Sequence, residues 1–214
     1  MASRADGLLR ALITKRLEAT QPQHPEIVQR PGWGDIPEIF KSLRPRELTP
    51  AAVLVPLVER AGELFVLLTQ RAEHLKHHPG QISFPGGRIE EADSGVRDAA
   101  LREAEEEVGL PADRIDVVGY LDNYFTITGY SVTPVVGFYE SAVSLDLDET
   151  EVADAFEVPL SYLFDPANHH RKMKEIYGHR IPYFEIPWQE RIIWGATASM
   201  IICFYRTILD VDDK

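Results

Sequence analysis

The segment from Gly86 to Leu110 constrains this chain more than any other. Glycines mark both of its ends. Between them, Val96, Ala100, Ala104 and Val108 recur on one helical stripe, while Glu103, Glu106 and Glu107 stand at i, i+3 and i+4 on another. At 100° per residue each set shares a face. The small apolar stripe lets the helix lie close against a sheet, so the two faces have separate tasks. Ser94 is an N-cap residue type, and Gly109 is placed to take the left-handed conformation that ends a helix while Leu110 folds back. The expected helix is therefore Ser94 to Val108. Clustered carboxylates repel at about 0.2–0.5 kcal/mol per exposed pair, and the sign reverses when hard cations sit among the oxygens. A Glu-rich helix alone is more often a solvated acidic face. A bare surface helix, however, needs neither Phe84-Pro85-Gly86-Gly87 before it nor Gly109-Leu110 after it. Gly87 permits close backbone approach, so its carbonyl could join a metal shell, and Arg102 reaches Glu106 at i+4 and can orient that carboxylate.

The flanking pattern interleaves strands and helices. Ala51 to Val58 and Leu64 to Thr69 are β-rich runs separated by residues 59–63, which predicts a hairpin. The segment from His74 to Gly87 is loop, with room for a short strand at Gln81 to Phe84. Ile115 to Leu121 and Ser131 to Tyr139 read as strands, and Thr150 to Phe156 as a short helix closed off before Pro159. Lys172 to Tyr177 and Ile181 to Ile186 flank Gly178-His179 as a second hairpin. Ile192 to Trp194 adds a strand, and Ala196 to Leu209 a last helix. Upstream, residues 21–50 hold six of the fifteen prolines and lack periodicity, which suggests an arm. The division expected is 1–48 as an N-terminal helix and Pro-rich arm and 49–214 as the catalytic domain, a single core being sufficient for 214 residues.

Charge and composition narrow the functions available. With 22 basic and 34 acidic residues the formal net charge is −12, which disfavours nucleic acid as a partner. A small anionic substrate stays open, because bound divalent cations reverse the local sign of an acidic site. The single cysteine, Cys203, cannot form an internal disulfide and reads as a buried thiol in a reducing compartment, with the cytoplasm expected. No apolar run is long enough to cross a bilayer. Residues 1–17 read as an amphipathic helix, with a mitochondrial presequence as the alternative.

The order Gly87, Asp93, Arg102-Glu103, Glu106-Glu107, Gly109-Leu110 resembles the Nudix box, G-x5-E-x7-R-E-U-x-E-E-x-G-U. It departs from that pattern in having Asp93 for the first Glu and eight residues between that acid and Arg102. This variant resembles the coenzyme A pyrophosphatase branch of the family. So does the stretch Leu67 to Gly87, which is similar to the LLTxRxxxLxxHxGxxxFPGG signature and abuts the box without a gap. The likeness spans about Val53 to Leu209.

The resemblance implies an α/β fold, a Nudix-type α/β/α sandwich with a mixed β-sheet, and an extra N-terminal helix packed outside it or against the second subunit of a homodimer. It implies hydrolysis of coenzyme A or its acyl derivatives with Mg²⁺ or Mn²⁺, giving 3′,5′-ADP and a 4′-phosphopantetheine product. ADP-ribose or a dinucleotide is the alternative substrate. A nucleotide sensor that has lost turnover is the rival of another class, opposed by the intact carboxylates. By the family pattern Glu103, Glu106 and Glu107 bind metal with the Gly87 carbonyl and Arg102 orients them; Asp93 reads by its residue type as a cap of the helix instead of a metal ligand. Glu103 or Glu151 activates water, Glu151 lying in an acidic segment that is equally readable as a solvated loop. Arg71, His77 and Gly86 fall on substrate-binding positions, while Lys76 reads as solvent-exposed. His169, His170, Arg171, Lys172 and Lys174 form a basic cluster that reads as surface in preference to a contact with the 3′-phosphate of coenzyme A. Trp188 and Trp194 read as core residues rather than adenine-stacking ones.

Overall fold

The structure is a computed structural model that describes residues 2–24, 48–76, 78–126, 128–176 and 178–211. Its frame is the expected hairpin. Strand β1 (Thr49–Arg60) and strand β2 (Glu63–Arg71) pair antiparallel from Leu57↔Val66 to Arg60↔Glu63. Ala61 and Gly62 join them with φ of 51° and 82°, the two-residue geometry whose twist matches that of paired strands. Strands β3 (Ile82–Ser83) and β4 (Gly86–Arg88) add to β2 and β1 respectively. Along its length β1 also runs parallel with β7 (Tyr130–Tyr139), which pairs antiparallel with β5 (Ile115–Tyr120) and with β6 (Tyr124–Phe125). Strand β8 (Val152–Pro159) covers the free side of β2 and completes an eight-stranded mixed sheet.

Successive side chains of a strand point to opposite faces, and β1 feeds two cores in that way. Ala52, Leu54 and Val58 meet helix α2 (Val96–Val108) through Ala100, Ala104 and Val108. Val55 and Leu57 join the other core with Ile13 and Leu17 of α1 (Ala2–Leu17) and with Ile201 and Phe204 of α4 (Ala196–Leu209). A one-turn helix α3 (Leu160–Leu163) packs on the same side. The result is the α/β/α sandwich, with the apolar run from Ala51 to Val58 explained by burial on both faces. Strands β9 (His170–Ile176), β10 (His179–Trp188) and β11 (Arg191–Trp194) form a separate antiparallel sheet. Among the described residues no helix is long and apolar enough to cross a membrane.

The N-terminal helix belongs to the core of its own chain, since Ile13 and Leu17 are fully buried. Gly119, at φ 152°, lets the Leu17 carbonyl approach where a Cβ would sit 2.4 Å away. The hydroxyl of Thr20 then accepts from the Tyr120 N–H at 2.8 Å, and the Asn123 amide donates to the Gln23 and His24 carbonyls. Of the Pro-rich arm, residues 25–47 lie outside the described residues.

Three local expectations are corrected. Thr150 to Phe156 is not a helix but the approach to and first half of β8, because the edge of β2 offers paired backbone partners from Phe65↔Pro159 to Arg71↔Val152; tertiary pairing overrides a weak local pattern. Ser94 does not cap α2, whose N-cap is Gly95; instead the Ser94 N–H donates to the Asp98 carboxylate at 3.2 Å. Cys203 is only partly buried. The far end of α2 behaves as expected: Gly109 takes φ 68°, and the Leu110 N–H reaches the Ala104 carbonyl at 3.2 Å.

Candidate active site

Arg102 organises the acidic face of α2. Its guanidinium holds Asp93 with two parallel bonds, Nε to Oδ1 at 2.9 Å and Nη2 to Oδ2 at 3.0 Å. Nη1 donates to Glu103 Oε1 and to Glu106 Oε2, both at 3.0 Å, and Nη2 also reaches the Arg88 carbonyl at 3.1 Å. A planar fork can serve this many acceptors at once; an ammonium cannot. Asp93 therefore does not cap the helix. It anchors Arg102, which in turn holds the Asp93 carboxyl below the usual carboxylate range, and the loop 89–95 is tied back by the Glu90 N–H to Asp93 at 2.8 Å. The one-residue-longer spacing noted in the sequence is absorbed in this loop, not in the helix.

Glu107 lies deeper, at 5% exposure. Burial pushes its carboxyl up to about 8; the Gly86 N–H at 3.2 Å opposes the shift, while the charge of Glu103, and to a smaller extent that of Glu151, adds to it. Glu103 is also raised, by burial first, against the pull of Arg102, with Glu106 and Glu151 adding. Arg71 stands 3.8 Å from Glu107. Glu151 thus sits within the field of both inner carboxylates, and the reason is topological. The Glu151 carbonyl accepts from the Ala72 N–H at 2.8 Å, just before Val152 pairs with Arg71. The preceding loop is strapped to the end of α2 by the Asp146 N–H to Val108 and the Asp148 N–H to Glu107.

Gly87 is pressed against Glu103, where a Cβ would meet Oε1 at 2.4 Å; at Gly86 a Cβ would meet the Ala52 carbonyl at 2.4 Å. Backbone contact at positive φ thus demands glycine at position 86, while at position 87 a side chain would displace the Glu103 carboxylate. As placed, no three His, Cys, Asp or Glu side chains among the described residues enclose an ion, because the Arg102 fork holds Glu103 and Glu106. Residues at i and i+4 nonetheless have Cβ atoms about 5–6 Å apart, so rotamer changes could bring Glu103 and Glu107 to one cation, with Glu106 at the exposed end of the row. All of these donors are hard oxygens, the type that Mg²⁺ and Mn²⁺ prefer.

On the other side of the Gly86-Gly87 strand opens a cavity of about 870 Å³ between the two sheets, within the size range of ligand pockets. Its lining includes Arg71, Arg88, Arg171 and Lys174 and, among the described residues, no carboxylate. Gly86 and Arg71 are on this wall as expected. Lys76 is exposed, and His77 lies outside the described residues. One sequence reading changes here. Trp194 is not core: it lines the cavity, with the Lys174 ammonium 5.0 Å from its ring centre and Tyr183 edge-on at 6.1 Å. Trp188 packs edge-on against Tyr162 at 4.8 Å, as a core residue does. The basic cluster is exposed at His170, Arg171, Lys172 and Lys174, as the surface reading expects, and these four lie on β9. His169 packs against Tyr205 and bonds the Leu163 carbonyl at 2.7 Å, while Arg171 and Lys174 reach the cavity. Arg88, which donates to the Tyr130 hydroxyl at 2.6 Å, was missed; its place directly after Gly87 was the available signal. A smaller concavity of about 680 Å³ around Arg10, Asp113 and Glu140 involves none of these residues.

Fold and site together define a protein that presents clustered carboxylates, aligned by one arginine, from a loop-helix element beside a cationic cavity. The NUDIX domain profile matches residues 48–178. The chain is 39% identical over 168 residues to the Nudix hydrolase NudL of Enterobacter sp. (strain 638), spanning 76% of this chain and 87% of that protein. It is 42% identical over 156 residues to NudL of Escherichia coli, spanning 71% and 78%. A MutT/nudix family protein from Enterococcus faecalis shares the fold, with a TM-score of 0.50 at 16% identity over 78% of this chain and 64% of that one. The chain belongs to the Nudix family.

Proposed function

We propose that the protein hydrolyses the diphosphate linkage of coenzyme A or its acyl derivatives, releasing 3′,5′-ADP and a 4′-phosphopantetheine product. The observation that carries this reading is the position of Gly86-Gly87, a bare backbone strand with buried carboxylates on one side and an anion-attracting cavity on the other. The signature from Leu67 to Gly87 supports the choice of substrate. It supplies β2, β3 and β4, and Arg71, Ile82, Phe84 and Gly86 from it line the cavity, so its residues face a ligand as well as the core.

In this reading Glu103, Glu106 and Glu107, with the Gly87 carbonyl, hold Mg²⁺ or Mn²⁺. The residues fit such an ion, because Glu107 is a buried carboxylate with acidic neighbours and no full countercharge in bonding contact, Arg71 being 3.8 Å away. When bound, the ion supplies positive charge that neutralises the diphosphate oxygens. Arg102 keeps Glu103 and Glu106 aligned. Arg71 faces both Glu107 and the cavity and balances phosphate charge there. Glu151 takes the proton of the attacking water as its oxygen bonds to one phosphorus and the bridging oxygen leaves with the other. The test is kcat/KM for coenzyme A, an acyl form, ADP-ribose and a dinucleotide, each with and without Mg²⁺ or Mn²⁺. Coenzyme A or the acyl form is expected to lead by at least about tenfold, with turnover lost in chelator. Preference for ADP-ribose or a dinucleotide would sink the substrate assignment, and binding without release would favour a sensor.

A further inference from the structure

The second sheet carries a wall of the cavity that the chemistry of the carboxylates does not use. Lys174 is opposite Ile181 in register, Lys172 opposite Tyr183, and Trp194 opposite Glu185. With a side-chain period of two, Lys174, Tyr183 and Trp194 share one face of that sheet with Glu185, which accepts from the Tyr183 hydroxyl at 2.8 Å and is not part of the cavity lining. There the ammonium of Lys174 lies over the indole, an arrangement that fixes a flexible chain by cation–π attraction. Arg171 lines the same cavity. These cations belong to β9, whereas the other two arginines of the cavity, Arg71 and Arg88, belong to β2 and β4. In a chain of net charge −12, a cavity with two separate sources of positive charge and no carboxylate in its described lining focuses anions at two places.

We infer that Lys174, held in place by Trp194 and assisted by Arg171, is a specificity-determining element that binds a phosphate group of the substrate other than the two being cleaved. The ligand class is a nucleotide with a monophosphate on its ribose in addition to the 5′-phosphate. This deepens the coenzyme A reading and rests on it for the identity of the substrate, but the binding step is separable. Trp194 acts through Lys174 and is a positioning residue.

The experiment is calorimetric binding of 3′,5′-ADP and of 5′-AMP to the full chain, for the wild type and for Lys174→Ala, Lys174→Arg and Trp194→Leu. A charge-assisted contact is worth about ten- to a hundredfold in affinity, so the wild type should prefer 3′,5′-ADP by that factor. The ratio of the two affinities should collapse toward one in Lys174→Ala and fall in Trp194→Leu. It should recover in Lys174→Arg, a recovery that a merely structural role would not give. An unchanged ratio in Lys174→Ala, or no wild-type preference, overturns the inference. If the preference is present and lost on substitution while coenzyme A is not hydrolysed, the subsite stands and the substrate assignment falls.

Discussion

Glu107 keeps its carboxyl in the interior beside Glu103 and near Glu151, and in the absence of a divalent ion its folded value of about 8 lies well above the ordinary 4.5. A raised carboxyl means that the folded state holds a proton the unfolded chain releases. The stability linked to it is fully present below about 4.5 and is lost as pH rises through about 8. At about 1.4 kcal/mol per pH unit across that window the ceiling is about 5 kcal/mol, and relaxation of the side chain toward water reduces it to about 1–3 kcal/mol. Glu107→Gln keeps the shape and removes the titration. In chelator the variant should therefore match the wild type near pH 5 and exceed it near pH 8, by roughly 2–12 °C in Tm at about 2–4 °C per kcal/mol for a chain of this size. Added Mn²⁺ should reverse the order at pH 8, because the wild type gains binding energy that the variant lacks, and turnover of the variant should fall by at least about a hundredfold. The assay is thermal unfolding of both proteins at pH 5, 6.5 and 8, with chelator or Mn²⁺; the difference between them cancels the other titrating groups. A variant less stable than the wild type at pH 8 in chelator would refute the reasoning, as would a difference independent of pH.

Arg102→Lys retains one charge but loses the fork that joins Asp93, Glu103 and Glu106; kcat should drop about 10- to 100-fold with weaker metal affinity, and a metal titration monitored by activity would show it. Gly87→Ala places a methyl on the Glu103 carboxylate, so activity should fall by about a hundredfold or more while circular dichroism stays native; wild-type turnover would mean that Glu103 works from another position. Glu151→Gln should lower kcat by about 10²–10⁴, and full turnover in this variant would take Glu151 off the catalytic list.

Periodicity made much of this molecule legible. The helix ending at Gly109 and the last helix from Ala196 to Leu209 were placed correctly, since each depends on local spacing and a local stop. The hairpin at Ala61-Gly62 was equally local. Thr150 to Phe156 was misread because its conformation is set by the distant edge of β2. Trp194 reads as core in the sequence because an indole near a strand has the same signal whether it faces a core or a cavity. Asp93 looked like a cap, being near a helix start, and only the folded loop shows it gripping Arg102 from nine residues away.

By itself the sequence determined that three carboxylates share a helical face and that glycines bracket it, because helical pitch and turn sterics act over a few residues. Tertiary structure alone decided which carboxylate is buried, that the charge of Glu151 reaches Glu103 and Glu107, and that Lys174 and Trp194 look into the cavity. Those properties arise from sheet pairing between segments far apart in the chain, where desolvation and field strength are set by neighbours that no local pattern names.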